Sequence, residues 1–391
     1  MPTSISSPLQ SPIRKAIQTF PSQWLLLPQG TGIIAVILHQ LDYQFPGLDV
    51  ISYIFFLLTI ILLLTTITIY LTRCILFPHT VTTALQQTQE EVACLTSISI
   101  TYTSIIKFIS LVLVSSWGPG WGTAAYILWW TNVFLAVIAI IGVPFVLLRL
   151  YPAQISHLSP ASQLPMIAAL TVAAGGGTIS QNAGLSPQQQ VPVIVVSYLF
   201  LGCGLPLAFG LDVLYWARLL DRSMLDRQHI LQDMILCGPW GQASFGFQIL
   251  GGAVLKGSFA GYNMGVFLTE EAAKPVGYGS IFVGVLLWGM GTFWWAWAVI
   301  GILHAGMGRR GKWMGIPYGL SAWSLVFPWG VYTNAAVQLG KLLDSTAFRV
   351  WSTVLTVMLV IIWLWNIGMT IRGLATGALL GLDEDCTTEE E

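Results

Sequence analysis

Val50-Ile51-Ser52-Tyr53-Ile54-Phe55-Phe56-Leu57-Leu58 runs on through Ile60-Ile61-Leu62-Leu63-Leu64 without a charge. A run of this length and apolarity spans a bilayer as one helix, which needs about 20 such residues. Nothing in it alternates as a barrel strand would, and a helix satisfies its own backbone in hydrocarbon. Working outward, the chain repeats the pattern. Apolar stretches lie at 21–41, 50–72, 94–116, 122–149, 164–184, 191–217, 230–255, 278–304, 315–340 and 346–372. The sequence therefore predicts an all-α polytopic membrane protein with ten transmembrane helices spanning 20–373. A polar tail over 1–19 precedes it, and an acidic tail over 374–391 follows.

Composition agrees. Of 391 residues, 55% are hydrophobic and 8% charged, against about a quarter charged in soluble domains. The 17 Trp, 18 Phe and 12 Tyr suit a membrane interface. A net charge of −1 gives no basic face for nucleic acid. The N-terminal tail lacks the apolar core of a secretory signal. The five cysteines are scattered and unpaired in spacing, so no disulfide framework or metal site is implied. The five histidines form no HxxxH or HExxH pair, and no GxSxG or Walker loop is present. The chain thus reads as no enzyme, with no cofactor and no metal.

Lys and Arg set the orientation. With a cytosolic N-terminus, eleven face inward, four outward, and Lys107 falls inside a stretch, accounting for all 16. This positive-inside bias places both termini in the cytosol. Without the fifth stretch, the basic residues of 218–227 and 309–312 would lie outside.

The odd-numbered stretches carry the helix breakers and polar groups. They hold Pro28, Gly30 and Gly32 in the first, and Thr101, Thr103, Ser104 and Lys107 in the third. The fifth has Pro165, Gly175, Gly176, Gly177, Thr178 and Ser180. The seventh has Gly238, Pro239, Gly241, Gln242 and Ser244, and the ninth Pro328, Gly330, Thr333 and Asn334. The expected arrangement is an inner ring of odd helices, kinked by proline, around a polar path, with even helices outside. Small residues also let helices pack closely, which serves the same ring. Lys107 either lines an anion path or snorkels to an interface. Asp212 is expected to pair with Arg218.

Two stretches are distinctive: Gly238-Pro239-Trp240-Gly241-Gln242-Ala243-Ser244-Phe245-Gly246, and Trp323-Ser324-Leu325-Val326-Phe327-Pro328-Trp329-Gly330. With Tyr126-Ile127-Leu128-Trp129-Trp130 and the run from Ala173 to Ser180, they resemble the fungal sulfite efflux pumps of the tellurite-resistance/dicarboxylate transporter family. Malic acid permeases and plant slow anion channels are related to these. The resemblance implies five hairpins around a central pore, a homotrimer, and export of sulfite or bisulfite at the plasma membrane. The alternative cargo is malate, another dicarboxylate, or chloride and nitrate. The path residues carried by the odd stretches are Gly32, Lys107, Gly176, Thr178, Pro239, Gly241, Gln242, Ser244, Pro328 and Thr333. Channel-type relatives close the pore with a phenylalanine on the ninth helix. The matching position here falls near Tyr318, so the gate departs from that pattern, with Phe327 and Phe245 as further candidates.

Overall fold

The computed structural model describes residues 11–151, 155–222, 227, 229–307 and 315–382. Among them the chain is helical, with one isolated bridge, Met264 to Leu268, and no longer strand. Helices lie at each of the expected stretches. They are α1 (Leu26–Gln40), α2 (Leu48–Leu76), α3 (Ser97–Phe108), α4 (Gly120–Val137), α5 (Leu164–Asn182), α6 (Pro187–Arg222), α7 (Cys237–Ala253), α8 (Glu270–Gly306), α9 (Val326–Leu342) and α10 (Thr346–Thr376). Six helical segments of the described residues are long and apolar enough to cross a membrane: Leu48–Leu76, Gln89–Trp117, Gly120–Leu150, Pro187–Asp221, Glu270–Gly306 and Thr346–Thr376. The other four, α1, α5, α7 and α9, have 15, 19, 17 and 17 residues. Glycine and polar residues dilute their apolarity, and each begins on a tighter turn that shortens the α-helical part.

That turn repeats five times. A 3-10 turn leads into every odd helix: Ser22–Leu25, Cys94–Thr96, Pro160–Gln163, Ile230–Leu236 and Leu320–Leu325. Pro28, Pro165, Pro239 and Pro328 fall in the first α-helical turn just beyond. There a missing N–H breaks no intrahelical bond. The expected mid-helix kinks are absent at these four positions, and the prolines instead mark where 3-10 becomes α. A genuine distortion occurs in an outer helix. Pro144 follows the π turn Ile138–Gly142, where the Val143 N–H reaches back to the Ile138 carbonyl. The widened turn accommodates a ring that cannot donate.

Each odd helix packs along the even helix that follows it, and α1, α3, α5, α7 and α9 touch in sequence, with α9 returning to α1. Every even helix also leans on the next odd helix, so it covers the groove between two inner helices. Burial follows from this. The most apolar windows of the even helices are 17–44% buried, while that of the third segment is 72% buried. Helices α1, α5, α7 and α9 are buried along nearly their whole length. On α2, Val50, Ile54, Leu57, Ile61 and Leu64 point outward at spacings of three and four. That face suits lipid, where a leucine loses nothing by exposure. Ser52, Thr59, Leu63 and Thr66 face the protein.

The N-terminal segment is not a loose tail throughout. Pro12–Gln18 is a helix, and Arg73 Nε donates to the Gln18 carbonyl at 3.0 Å. Arg73 also pairs with buried Glu91 at 2.5 Å, and Glu91 accepts from the Ser22 N–H at 2.8 Å. These bonds tie the approach to α1 onto α2 and the start of the third segment. At the other end Thr19 Oγ1 donates to the Leu380 carbonyl at 2.9 Å. Residues 1–10, the 309–312 basic cluster and the acidic run from 383 lie outside the described residues.

Candidate functional site

The inner ring closes because small residues sit at its crossings. A Cβ on Gly241 would lie 2.7 Å from the Tyr332 backbone nitrogen, so α7 and α9 meet backbone to backbone only with glycine there. Gly32 faces Ser104 of α3 and Thr59 of α2, and Gly176 faces Trp129 and Ser197 of the outer helices. Both were expected on the path, and the structure places both at packing contacts instead.

Neighbour contacts identify which residues turn to the axis. On α3, Thr103 meets Gly175 of α5 and Ser104 meets Gly32 of α1. Lys107, four and three residues on, falls between these directions and faces inward. On α9, Gly330 meets Ile33 of α1 and the Val331–Tyr332 peptide meets Gly241 of α7, and Asn334, one turn beyond Gly330, falls between these directions. On α1, Ile33 meets α9 and Gly32 meets α3, so Gln29 also faces the axis. On α5, Ala174 packs against Phe245 of α7, and Thr178 lies one turn further on that side.

Two side chains meet across this axis. The Lys107 ammonium sits 4.3 Å from the centroid of the Phe245 ring. Lys107 is 1% exposed, and neither a hydrogen bond nor an ion pair reaches its nitrogen among the described residues. Phe245 groups with Ala174, Ile249 and Ala335 from α5, α7 and α9. One turn before Phe245, the buried Gln242 leaves Nε2 without a protein partner. Asn334 leaves both amide atoms unpartnered, and Gln29 leaves Oε1 so. Among the described residues, the inner helices thus bring together a buried ammonium, an aromatic ring and three amides with free hydrogen-bonding capacity.

Neighbouring elements engage the other predicted residues. Ser244 Oγ donates to the Gly284 carbonyl of α8 at 2.6 Å and turns away from the axis. Thr333 Oγ1 returns to the Trp329 carbonyl of its own helix at 2.9 Å. Thr178 Oγ1 likewise donates to Ala174, at 2.9 Å, so its hydroxyl proton is taken. Pro239 and Pro328 mark the 3-10 to α junctions, with Pro328 against Gly238. Of the gate candidates, Tyr318 bonds the Asn366 carbonyl and Thr370 of α10 at 3.0 and 2.7 Å, on the outer side of the ring. Phe327 is buried, about two turns before Asn334 and on its face. Phe245 alone of the three touches Lys107.

Asp212 does not pair with Arg218. Its carboxylate accepts from Trp240 Nε1 at 2.6 Å and from Gln163 Nε2 at 2.7 Å. Arg218 lies over the Tyr215 ring instead. The tryptophan of the GPWGQ stretch is therefore an anchor of α7 on α6. Among the described residues no group of three or more His, Cys, Asp or Glu side chains could hold a metal ion.

Sequence reasoning missed Gln29 as a lumen residue and noted Asn334 only as a polar residue of its helix. The usable signal was position, since each lies three and four residues from two glycine-lined crossings.

Residues 19–371 match the family described as voltage-dependent anion channel. The chain is 29% identical over 356 residues to the sulfite efflux pump of Arthroderma otae, covering 91% of each chain. Its similarity to the sulfite efflux pump of Trichophyton rubrum has the same extent, 29% over 356 residues and 91% of each. It is also 23% identical over 382 residues to the malic acid transport protein of Schizosaccharomyces pombe, covering 96% of this chain and 83% of that one.

Proposed function

The chain belongs to the voltage-dependent anion channel family, and we propose that it exports sulfite or bisulfite through the lumen of its odd-helix ring. The observation that carries this reading is Lys107, a buried ammonium on the axis with no carboxylate beside it. A charge so placed is expensive alone. A small anion passing through supplies the missing partner. In this reading the ten helices span the plasma membrane as five hairpins, both termini are cytosolic, and three copies assemble with one pore each. The five odd helices then all start from the cytosolic side. Their positive N-terminal ends face the compartment from which the anion is drawn.

Phe245 is the constriction. Gln242 and Asn334 replace part of the ion's hydration on its way past the ring. Release requires that such binding stay weak. The proposal includes no catalysis and no cofactor. A dicarboxylate would call for a second cation on the axis, and the lumen faces identified above carry one.

The test is expression in yeast lacking its own sulfite pump. Sulfite resistance with no gain in malate uptake supports the reading. Malate uptake without sulfite resistance overturns it.

A further inference from the structure

We infer that Asn334, with Lys107 and Gln242, forms a binding site for a singly charged oxyanion that carries its own proton, which here means bisulfite and not the sulfite dianion, nitrate or chloride. This rests on the sulfite-export reading and adds the ionic species to it.

The argument starts from what the lumen leaves unpaired. Asn334 is 1% exposed, faces the axis, and has neither amide atom bonded to protein. It therefore offers a donor and an acceptor together. Gln242 Nε2 adds a donor one turn from Phe245, and Gln29 Oε1 adds an acceptor. Ala335, the next residue after Asn334, packs on Phe245, whose ring holds Lys107. Asn334, Phe245 and Lys107 thus occupy one level of the lumen.

For an anion without hydrogen, an amide oxygen aimed at the path is a defect. Its dipole opposes the ion, and no proton reaches it. An oxygen stripped of partners in a buried site bears its full desolvation penalty. A hydrogen oxyanion removes the conflict. Its O–H donates to Asn334 Oδ1, while its charged oxygens accept from Asn334 Nδ2, Gln242 Nε2 and the Lys107 ammonium. Sites built to bond a substrate hydroxyl reject analogues that lack it more strongly than apolar pockets reject a misfit. The charge count points the same way. One ammonium neutralises one negative charge, and the inner-helix residues Gln29, Thr178, Gln242, Phe245, Phe327 and Asn334 are all neutral. A dianion beside Lys107 would leave one charge unmatched.

The experiment uses the full chain in proteoliposomes. Initial rates of sulfite-species and nitrate flux are measured over a pH series that crosses the bisulfite–sulfite equilibrium. Nitrate does not titrate in that range, so the ratio of the two rates separates protonation of the ligand from protonation of Lys107. The wild-type ratio should follow the bisulfite concentration and fall as pH rises. In Asn334→Leu the bisulfite preference over nitrate should drop about tenfold, the loss of about 1.4 kcal/mol. A wild-type ratio that is flat, or rises with the dianion, overturns the inference. So does an unchanged preference in Asn334→Leu. Should Asn334→Leu fail to fold, Asn334→Ala takes its place, and the wild-type series decides independently. A wild-type protein that moves nitrate but no sulfite species at any pH would instead sink the export reading itself.

Discussion

The ammonium of Lys107 lies 4.3 Å from the centre of the Phe245 ring, although α3 and α7 are separated in the inner ring by α5. The contact therefore joins two helices that are not neighbours in the ring. A desolvated cation–π contact contributes about 2 kcal/mol. Burying an ammonium costs several kcal/mol even after relaxation. The ring alone does not offset that cost, so the charge is retained for something other than stability.

Lys107→Met keeps the length and removes the charge. The folded protein should be as stable as the parent or more so, because an unmatched charge has gone. Sulfite export should fall tenfold or more by loss of about 1.4 kcal/mol at the barrier. Melting temperature in detergent and flux in vesicles read the two effects separately. A variant that exports normally would show that the lysine only snorkels.

Phe245→Ala should raise basal anion flux, since the plug is removed from a level where its buried hydrophobic neighbours are small or aliphatic: Ala174, Ile249 and Ala335. Truncating a core phenylalanine costs about 3–5 kcal/mol in a tight interior. The loss here should fall at or below the lower end. Conductance per channel, normalised to protein at the membrane, is the measurement. An unchanged or lower conductance places the gate elsewhere.

Gln242 and Ser244 stand two residues apart and should behave differently. Gln242→Leu removes an unpartnered buried donor one turn from Phe245, so export should drop with little change in melting temperature. Ser244→Ala removes the bond to the Gly284 carbonyl and the acceptor of buried Gln248 Nε2, and costs about 1–3 kcal/mol of stability with export per folded molecule preserved. Equal export losses in both would mean that this turn acts only through packing.

That contrast shows where the sequence is legible. The division into buried odd and exposed even helices follows from composition, because proline, glycine and hydroxyls concentrate in alternate stretches. Lys107 was visible because a charge in an apolar run is rare. The faces were not. Ser244 and Thr333 look like path residues by type, yet a hydroxyl in hydrocarbon readily bonds a nearby carbonyl, of Gly284 in one case and Trp329 in the other. Gly32 and Gly176 look like pore lining and are crossings. Asn334 acquires its meaning only from Gly330 and the Val331–Tyr332 peptide, whose partners on α1 and α7 aim it between them. The prolines misled for a related reason. Their effect depends on whether they stand in a first turn, and the 3-10 segments that put them there have no strong sequence mark.

Orientation is tested at Val266, which is 97% exposed in the connection between α7 and α8. If both termini are cytosolic, this connection is extracellular. Val266→Cys should react with an impermeant thiol reagent on intact cells. Labelling that requires permeabilisation would reverse the topology and, with it, the direction in which the helix dipoles draw anions.

Trp240 and Asp212 give the last prediction. The Asp212 carboxylate is held by two neutral donors, Trp240 Nε1 at 2.6 Å and Gln163 Nε2 at 2.7 Å. Trp240→Phe keeps an aromatic ring against Phe209 and deletes one donor. A buried acceptor left short costs about 1–3 kcal/mol, toward the upper end for a carboxylate. Melting temperature should therefore fall. Asp212→Asn removes the charge that makes the missing donor costly, although its amide nitrogen needs an acceptor of its own. In the double variant the two effects should overlap, giving a loss smaller than the sum of the singles. Strict additivity would mean that the bond contributes nothing and that Trp240 stabilises α7 by its bulk alone. Export per folded molecule should stay close to the parent in Trp240→Phe, because the indole turns toward α6 and not toward Lys107. A selective loss of export with normal melting would instead place this tryptophan on the path.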